Sequence, residues 1–112
     1  MENQATTRQA GNVAIVDLSG HITAGGTGSL RNAIKELAAA GQKNVLLNIT
    51  QVTYMDSSGL GELVEACTTF RKLGGDLKLV GPQPRITKLL EMTKLSSVFK
   101  VFAEEQAALG SF

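Results

Sequence analysis

The chain has little of what usually staples or anchors a small protein. Its single cysteine, Cys67, is the only one in 112 residues, so no internal disulfide can form, and a reducing compartment suits it. Tryptophan is absent and aromatics make up only 4% of the residues, so the core must be aliphatic. Neither sign of charge predominates: eleven basic and ten acidic side chains leave a formal net charge of +1. Without a basic stripe interleaved with aromatics, direct nucleic-acid binding is not expected. No apolar run approaches the roughly 18 residues of a membrane span, and no signal-peptide pattern is present. No His/Cys cluster or carboxylate set suggests a metal, and no cofactor is expected. These absences point to a cytoplasmic protein of one domain, residues 1–112, long enough to bury a core without staples.

What is there alternates between strand and helix patterns. Ala5–Gln9 is a candidate edge strand, and "VAIVDLS" from Val13 is a second strand, closed by Gly20. "HITAGGTGS" reads as a loop. From Ser29, the apolar residues Leu30, Ala33, Ile34, Leu37 and Ala38 recur at helical spacing until Gly41 stops the helix. "NVLLNI" (44–49) is the short continuous apolar run of a strand covered on both faces. Leu60, Leu63, Val64, Cys67 and Phe70 form a second helical stripe, with Glu62, Glu65, Thr69 and Lys72 on the wet face. Cys67 therefore reads as a small core residue rather than a reactive thiol. "DLKLV" (76–80) is a further strand. A third helix starts near Pro84, "VFKVF" (98–102) is a terminal strand, and "EEQAALG" (104–110) is a last helical turn or two. The expected class is α/β, a parallel or mixed sheet of about four to five strands packed by helices.

One stretch asks for more than a fold. "YMDSSGLGELVEA" (54–66) passes from apolar strand to polar residues to a glycine-bearing helix start. A helix beginning near Ser57 leaves its first amides without partners, and Asp56 or Ser57 would serve as N-cap, worth about 0.5–2 kcal/mol. A cap needs one such residue, and there are three. Gly59 and Gly61 also weaken the first turn by roughly 0.5–1 kcal/mol each relative to alanine. Bare backbone there suits close approach by another molecule. Free amides and the helix dipole favour negative charge at the same place. A phosphoryl group on a serine here would add a charge near −2 to the surface, which is the basis of a switch.

The same residues resemble the central motif of bacterial anti-sigma factor antagonists, single-domain members of the STAS family. "LSG" (18–20), "NVLLNITQVTYMDSSGLG" (44–61), "GGDLKLVG" (74–81) and "LLEMTKLSSVFKVF" (89–102) agree in order, over nearly the whole chain. The resemblance implies a mixed sheet with helices packed mainly on one face. It also implies that Ser57, directly after the aspartate, is the phosphoacceptor, with Ser58 as the fallback. The implied partners are an anti-sigma factor that is itself a serine kinase, and a metal-dependent serine phosphatase. Unphosphorylated protein would bind the anti-sigma factor and free the sigma factor; phosphorylation would end that binding. Asp56, Ser57, Ser58, Gly59, Leu60, Gly61 and Glu62 would form the docking face, together with His21, Thr23, Gly25 and Gly26 of the preceding loop. Many members carry G-E-L-D at that loop, whereas this chain has "GHITAGGTG" (20–28), without an acidic residue. That departure motivates a second reading: a constitutive interaction module of the same fold, as a subunit of a transporter or a stress-signalling scaffold.

Enzymatic readings fail on missing groups. A serine hydrolase needs G-x-S-x-G and a histidine base, but Tyr54, Met55 and Asp56 precede the serines, and His21 is the only histidine. "GHITAGGT" has Gly26 where a Walker lysine must stand, and Arg31 takes the place of the third glycine of a dinucleotide loop. Asp56 as an aspartyl-phosphate acceptor would need further carboxylates for magnesium, and Asp17 stands alone inside a strand.

Overall fold

A computed structural model describes residues 3–23 and 28–112. Its strands are β1 (Asn3–Ala10), β2 (Val13–Ile22), β3 (Asn44–Met55), β4 (Asp76–Val80) and β5 (Val101–Phe102). Its helices are α1 (Ser29–Ala39), α2 (Ser57–Lys72), α3 (Pro84–Met92) and the short α4 (Glu105–Leu109), with a single 3₁₀ turn at Leu95–Ser97. The strands form one sheet in the order β1-β2-β3-β4-β5. β1 and β2 are an antiparallel hairpin, and every later pairing is parallel. Parallel neighbours need crossovers, and α1, α2 and α3 provide them.

Those three helices cover one face of the sheet. Val16, Leu18, Val45, Leu47, Leu77 and Leu79 of the strands meet Leu30, Leu63, Phe70 and Ile86 of the helices in one buried cluster. The opposite face carries a smaller cluster of Val13, Ile15, Leu46 and Val80, covered by Ala108 and flanked by Leu109 and Phe112. With both faces covered, β3 is continuously apolar at Val45, Leu46 and Leu47 and β4 is buried from Leu77 to Val80. The mixed sheet with helices mainly on one face is as expected, and the C-terminal segment packs against the domain on the other face.

The α4 cover also buries a cation. Lys78, in the middle of β4, is only 3% exposed. Its Nζ donates to the Ser111 carbonyl at 2.7 Å and contacts the Ser111 Oγ at 2.8 Å. The ring of Phe112 lies 4.4 Å from the same nitrogen. Burial pushes the Lys78 pKa below its ordinary value, with Lys100 adding to the effect.

β1 runs Asn3–Ala10, longer than the expected Ala5–Gln9, and two further strand boundaries that differ from the sequence reading shape the site. β3 runs to Met55 instead of ending at Ile49, and β2 continues through His21 to Ile22 instead of closing at Gly20. The reason is irregular register: Asp17 pairs with Asn48 but Ser19 with Gln51, and Gly20 pairs with Val52 but His21 with Tyr54. Each interval inserts one extra residue in β3, which is a β-bulge. The β3 positions in the main core accordingly run Val45, Leu47, Ile49, Val52 and Met55, a spacing in which period-2 alternation fails after Ile49. β5 is shorter than "VFKVF", because Phe99 turns into the main core instead of extending the strand.

Candidate functional site

The junction of β3 and α2 lies at the C-terminal ends of the parallel strands. Asp56 leaves β3 in extended conformation, φ −103° and ψ −178°. Its backbone amide donates to the Ile22 carbonyl at 3.4 Å, tying the junction to the end of β2. Its side chain accepts from the Gly59 amide at 2.8 Å. Asp56 is therefore the N-cap, and neither serine is needed for that purpose. Ser57 and Ser58 open the helix, both exposed, and among the described residues neither hydroxyl makes a hydrogen bond.

The two glycines of the first turn answer to different neighbours. A Cβ on Gly59 would run into the carbonyl of Ile22, whereas one on Gly61 would meet nothing within 4 Å. Gly59 is thus demanded by the fold itself, which corrects its assignment to a bare docking surface. Leu60, also expected on that surface, is instead buried at 3% exposure. It lies on the helix face that must close over the sheet. Gly61 is exposed and open.

Residues four apart on a helix are neighbours on its surface. Ser57 accordingly stands over the bare Gly61, while Ser58 stands over Glu62. The Glu62 carboxylate is held by Arg31 of α1, Nη2 to Oε1 at 2.8 Å, with the Glu62 side chain 16% exposed and that of Arg31 60%. The partner of Arg31 escaped the sequence reading because nothing in the local pattern of α1 signals a contact 31 residues away. Beyond this ion pair, a groove of about 630 Å³ runs between α1 and α2.

His21 lies on β2 rather than in a loop. It pairs across to Tyr54 of β3, with ring centroids 5.4 Å apart and planes tilted by 58°. Tyr54, 41% exposed, is a large surface side chain two residues from the cap that the sequence reading did not single out. Thr23 is half-buried just past β2. Gly25 and Gly26 fall outside the described residues. Cys67 is buried, its Sγ 3.8 Å from the Leu77 carbonyl, and burial pushes its thiol pKa up, as befits a core residue. Among the described residues no helix is long and apolar enough to cross a membrane.

This arrangement, a capped helix start after a parallel strand in a five-stranded mixed sheet, has known counterparts. A family model of the STAS domain matches residues 4–108. The chain belongs to the STAS domain family. It is 28% identical to the anti-sigma-B factor antagonist of Bacillus subtilis (strain 168) over 109 residues, covering 97% of this chain and 99% of that one. Among solved structures, an anti-sigma factor antagonist from Mycobacterium paratuberculosis superposes with a TM-score of 0.84 at 22% identity, covering 98% of this chain and 93% of that one. The Bacillus cell fate determinant SpoIIAA in its phosphorylated form superposes with a TM-score of 0.73 at 19% identity, over 96% and 97% of the two chains. At such identities the structural likeness establishes the fold of this STAS domain.

Proposed function

We propose that this STAS domain is an anti-sigma factor antagonist, a non-catalytic protein whose binding to an anti-sigma factor is switched by phosphorylation at Ser57. The observation that carries the choice of residue is the division of work at the start of α2. Asp56 supplies the cap, so the Ser57 hydroxyl is exposed and uncommitted. Ser58 is equally exposed, but a phosphate on it would stand beside the Glu62 carboxylate. Like charges at that helical spacing repel. Ser57 faces a glycine that leaves open space.

The physics of the junction supports a switch. With the serines bare, the surface offers two small hydroxyls and the open backbone at Gly61. A phosphoryl group on Ser57 is tolerated by the fold, because it sits at the positive end of the helix dipole near unpartnered amides. A docked partner that buries the hydroxyl would instead meet an uncompensated charge near −2, costing several kcal/mol. At about 1.4 kcal/mol per tenfold in affinity, that is enough to end binding. The partners on this reading are an anti-sigma factor with serine kinase activity and a serine phosphatase that reverses it.

The direct test is intact-mass analysis and site mapping of protein taken from its native cell, before and after phosphatase treatment. A removable gain of one phosphoryl mass on Ser57 supports the switch. Its absence across growth conditions, with partner binding insensitive to Ser57→Asp, favours the constitutive interaction module.

A further inference from the structure

A chain of hydrogen bonds crosses the sheet on the face opposite α1, α2 and α3. It starts at Glu105 of α4, whose Oε1 lies 2.8 Å from Arg8 Nη2 on β1. Arg8 grips Asp17 of β2 with two donors, Nε to Oδ2 at 2.6 Å and Nη2 to Oδ1 at 2.9 Å. Asp17 Oδ1 in turn accepts from Asn48 Nδ2 of β3 at 2.8 Å. The other end of the Asn48 amide, Oδ1, accepts from the Thr50 backbone N–H at 3.2 Å and lies 2.8 Å from the Thr50 hydroxyl.

The chemistry leaves this amide one orientation. A carboxylate can only accept and a backbone N–H can only donate, so Nδ2 must face Asp17 and Oδ1 must face Thr50. The bond to Thr50 then does something to the strand. An asparagine side chain that takes the amide two residues on diverts that amide from the sheet ladder. The first bulge of β3 lies at this place, between the Asp17–Asn48 and Ser19–Gln51 pairs.

The bulge decides which side chains reach the helices. Strict alternation after Ile49 would turn Gln51 and Thr53 toward the core, since a one-residue change of register exchanges the two faces of a strand. With the first bulge present, Val52 is fully buried in their place, and with both present Met55 pairs with Ile22, where the unbroken register from Asp17–Asn48 would set Thr53. Met55 is followed directly by Asp56, so the two irregularities set where the cap and Ser57 emerge.

We propose that Asn48 is a positioning residue for the Asp56–Ser57 junction, acting through the β3 bulge that it shapes and held in orientation by the Glu105–Arg8–Asp17 chain. This rests on the reading of that junction as the functional site, but its test needs no partner, so the two can fail separately.

The test is amide hydrogen exchange, read by NMR on the full ¹⁵N-labelled chain. In Asn48→Ala, exchange at the bonded amides of Asp56, Gly59 and Leu60, and at Gly59 above all, accelerates roughly tenfold more than at Val45–Leu47 upstream in the same strand. Asn48→Asp sets a carboxylate against Asp17 and gives the same pattern. Combining it with Asp17→Asn removes the like charge and sets a donor opposite the new carboxylate, at the loss of the Arg8 Nη2 bond to the same atom, and recovers at least half of the lost junction protection on a logarithmic scale. A purely structural role predicts uniform acceleration along β3, and that result overturns the proposal, as does an unchanged junction or a failure of the combined variant to recover. Should Asn48→Ala not fold, the comparison of Asn48→Asp with the combined variant decides alone.

Discussion

The carboxylate of Asp56 accepts the amide of Gly59 at 2.8 Å, and this one bond frees the two serines between them. Replacing Asp56 by alanine leaves the first turn of α2 uncapped and lowers stability by about 0.5–2 kcal/mol. Asparagine at the same position keeps an oxygen for the amide and recovers most of that loss. Urea unfolding of the two variants against wild type measures both effects. Equal losses for alanine and asparagine would show that the charge, not the capping oxygen, is what matters.

Gly59 and Gly61 make opposite predictions although they sit two residues apart. Gly59→Ala forces a methyl into the Ile22 carbonyl, and rigid backbone cannot move aside cheaply, so stability falls by about 1–3 kcal/mol. Gly61→Ala meets open space and gains the helical preference of alanine, about 0.5–1 kcal/mol. Thermal melts separate the two. If the bare surface at Gly61 serves docking, the stabilised variant also binds its partner more weakly.

Much of this was legible in the sequence, for stated physical reasons. Helices α1 and α2 announced themselves because Leu30, Ile34, Leu63 and Phe70 repeat at helical period, and β4 because a five-residue segment with three aliphatics is bounded by glycines. The end of β3 was not legible. Thr50, Gln51, Thr53 and Tyr54 break the apolar pattern, and only the first bulge explains how Val52 reaches the core in place of Gln51 and Thr53. The site was legible as a cluster but not as roles: which of Asp56, Ser57 and Ser58 caps, and which glycine the fold itself requires, depend on Ile22, 34 positions earlier, and on geometry that no local pattern encodes. The roles of Arg31 and Lys78 were missed for the same reason, since a long-range partner defines each.

The Asp17 carboxyl gives the fold an acid sensitivity. Hydrogen bonds from Arg8 hold its pKa below the ordinary 3.8, partial burial opposing them and the Asn48 amide helping. Because the folded value lies below the unfolded one, the stability it contributes is present above the ordinary carboxylate range and is lost as pH falls through the folded value. Wild type should therefore exceed Asp17→Asn in urea midpoint at neutral pH, and the gap should close as the pH drops below about 4. A gap that stays constant through that window would rule out the ionised carboxylate as its origin.

Lys78 fastens the C-terminal segment to the second sheet face through Ser111 and Phe112. Lys78→Met retains the aliphatic stem but leaves the Ser111 carbonyl without its donor. Global stability should change little, by less than about 1.5 kcal/mol, because the desolvation cost of a buried ammonium disappears together with its bonds. The segment from Glu105 to Phe112 should nevertheless loosen. Its amides exchange faster while those of β4 do not, and parallel behaviour of the two regions would contradict the fastening role.

On the proposed reading, the choice of Ser57 over Ser58 rests on charge, so it should yield to a change of charge. With the anti-sigma kinase and ATP, Ser57→Ala abolishes phosphoryl incorporation and Ser58→Ala does not. The informative variant is the double, Ser57→Ala with Glu62→Gln. It removes the carboxylate that stands one helical turn from Ser58 and leaves Arg31 without its partner, so a phosphate on Ser58 gains an adjacent guanidinium instead of a like charge. Site mapping should then find phosphoserine at 58. Incorporation that stays absent in the double variant, while the protein remains folded and still binds the kinase, would place the choice of serine in the partner's active site and not in the Glu62–Arg31 pair.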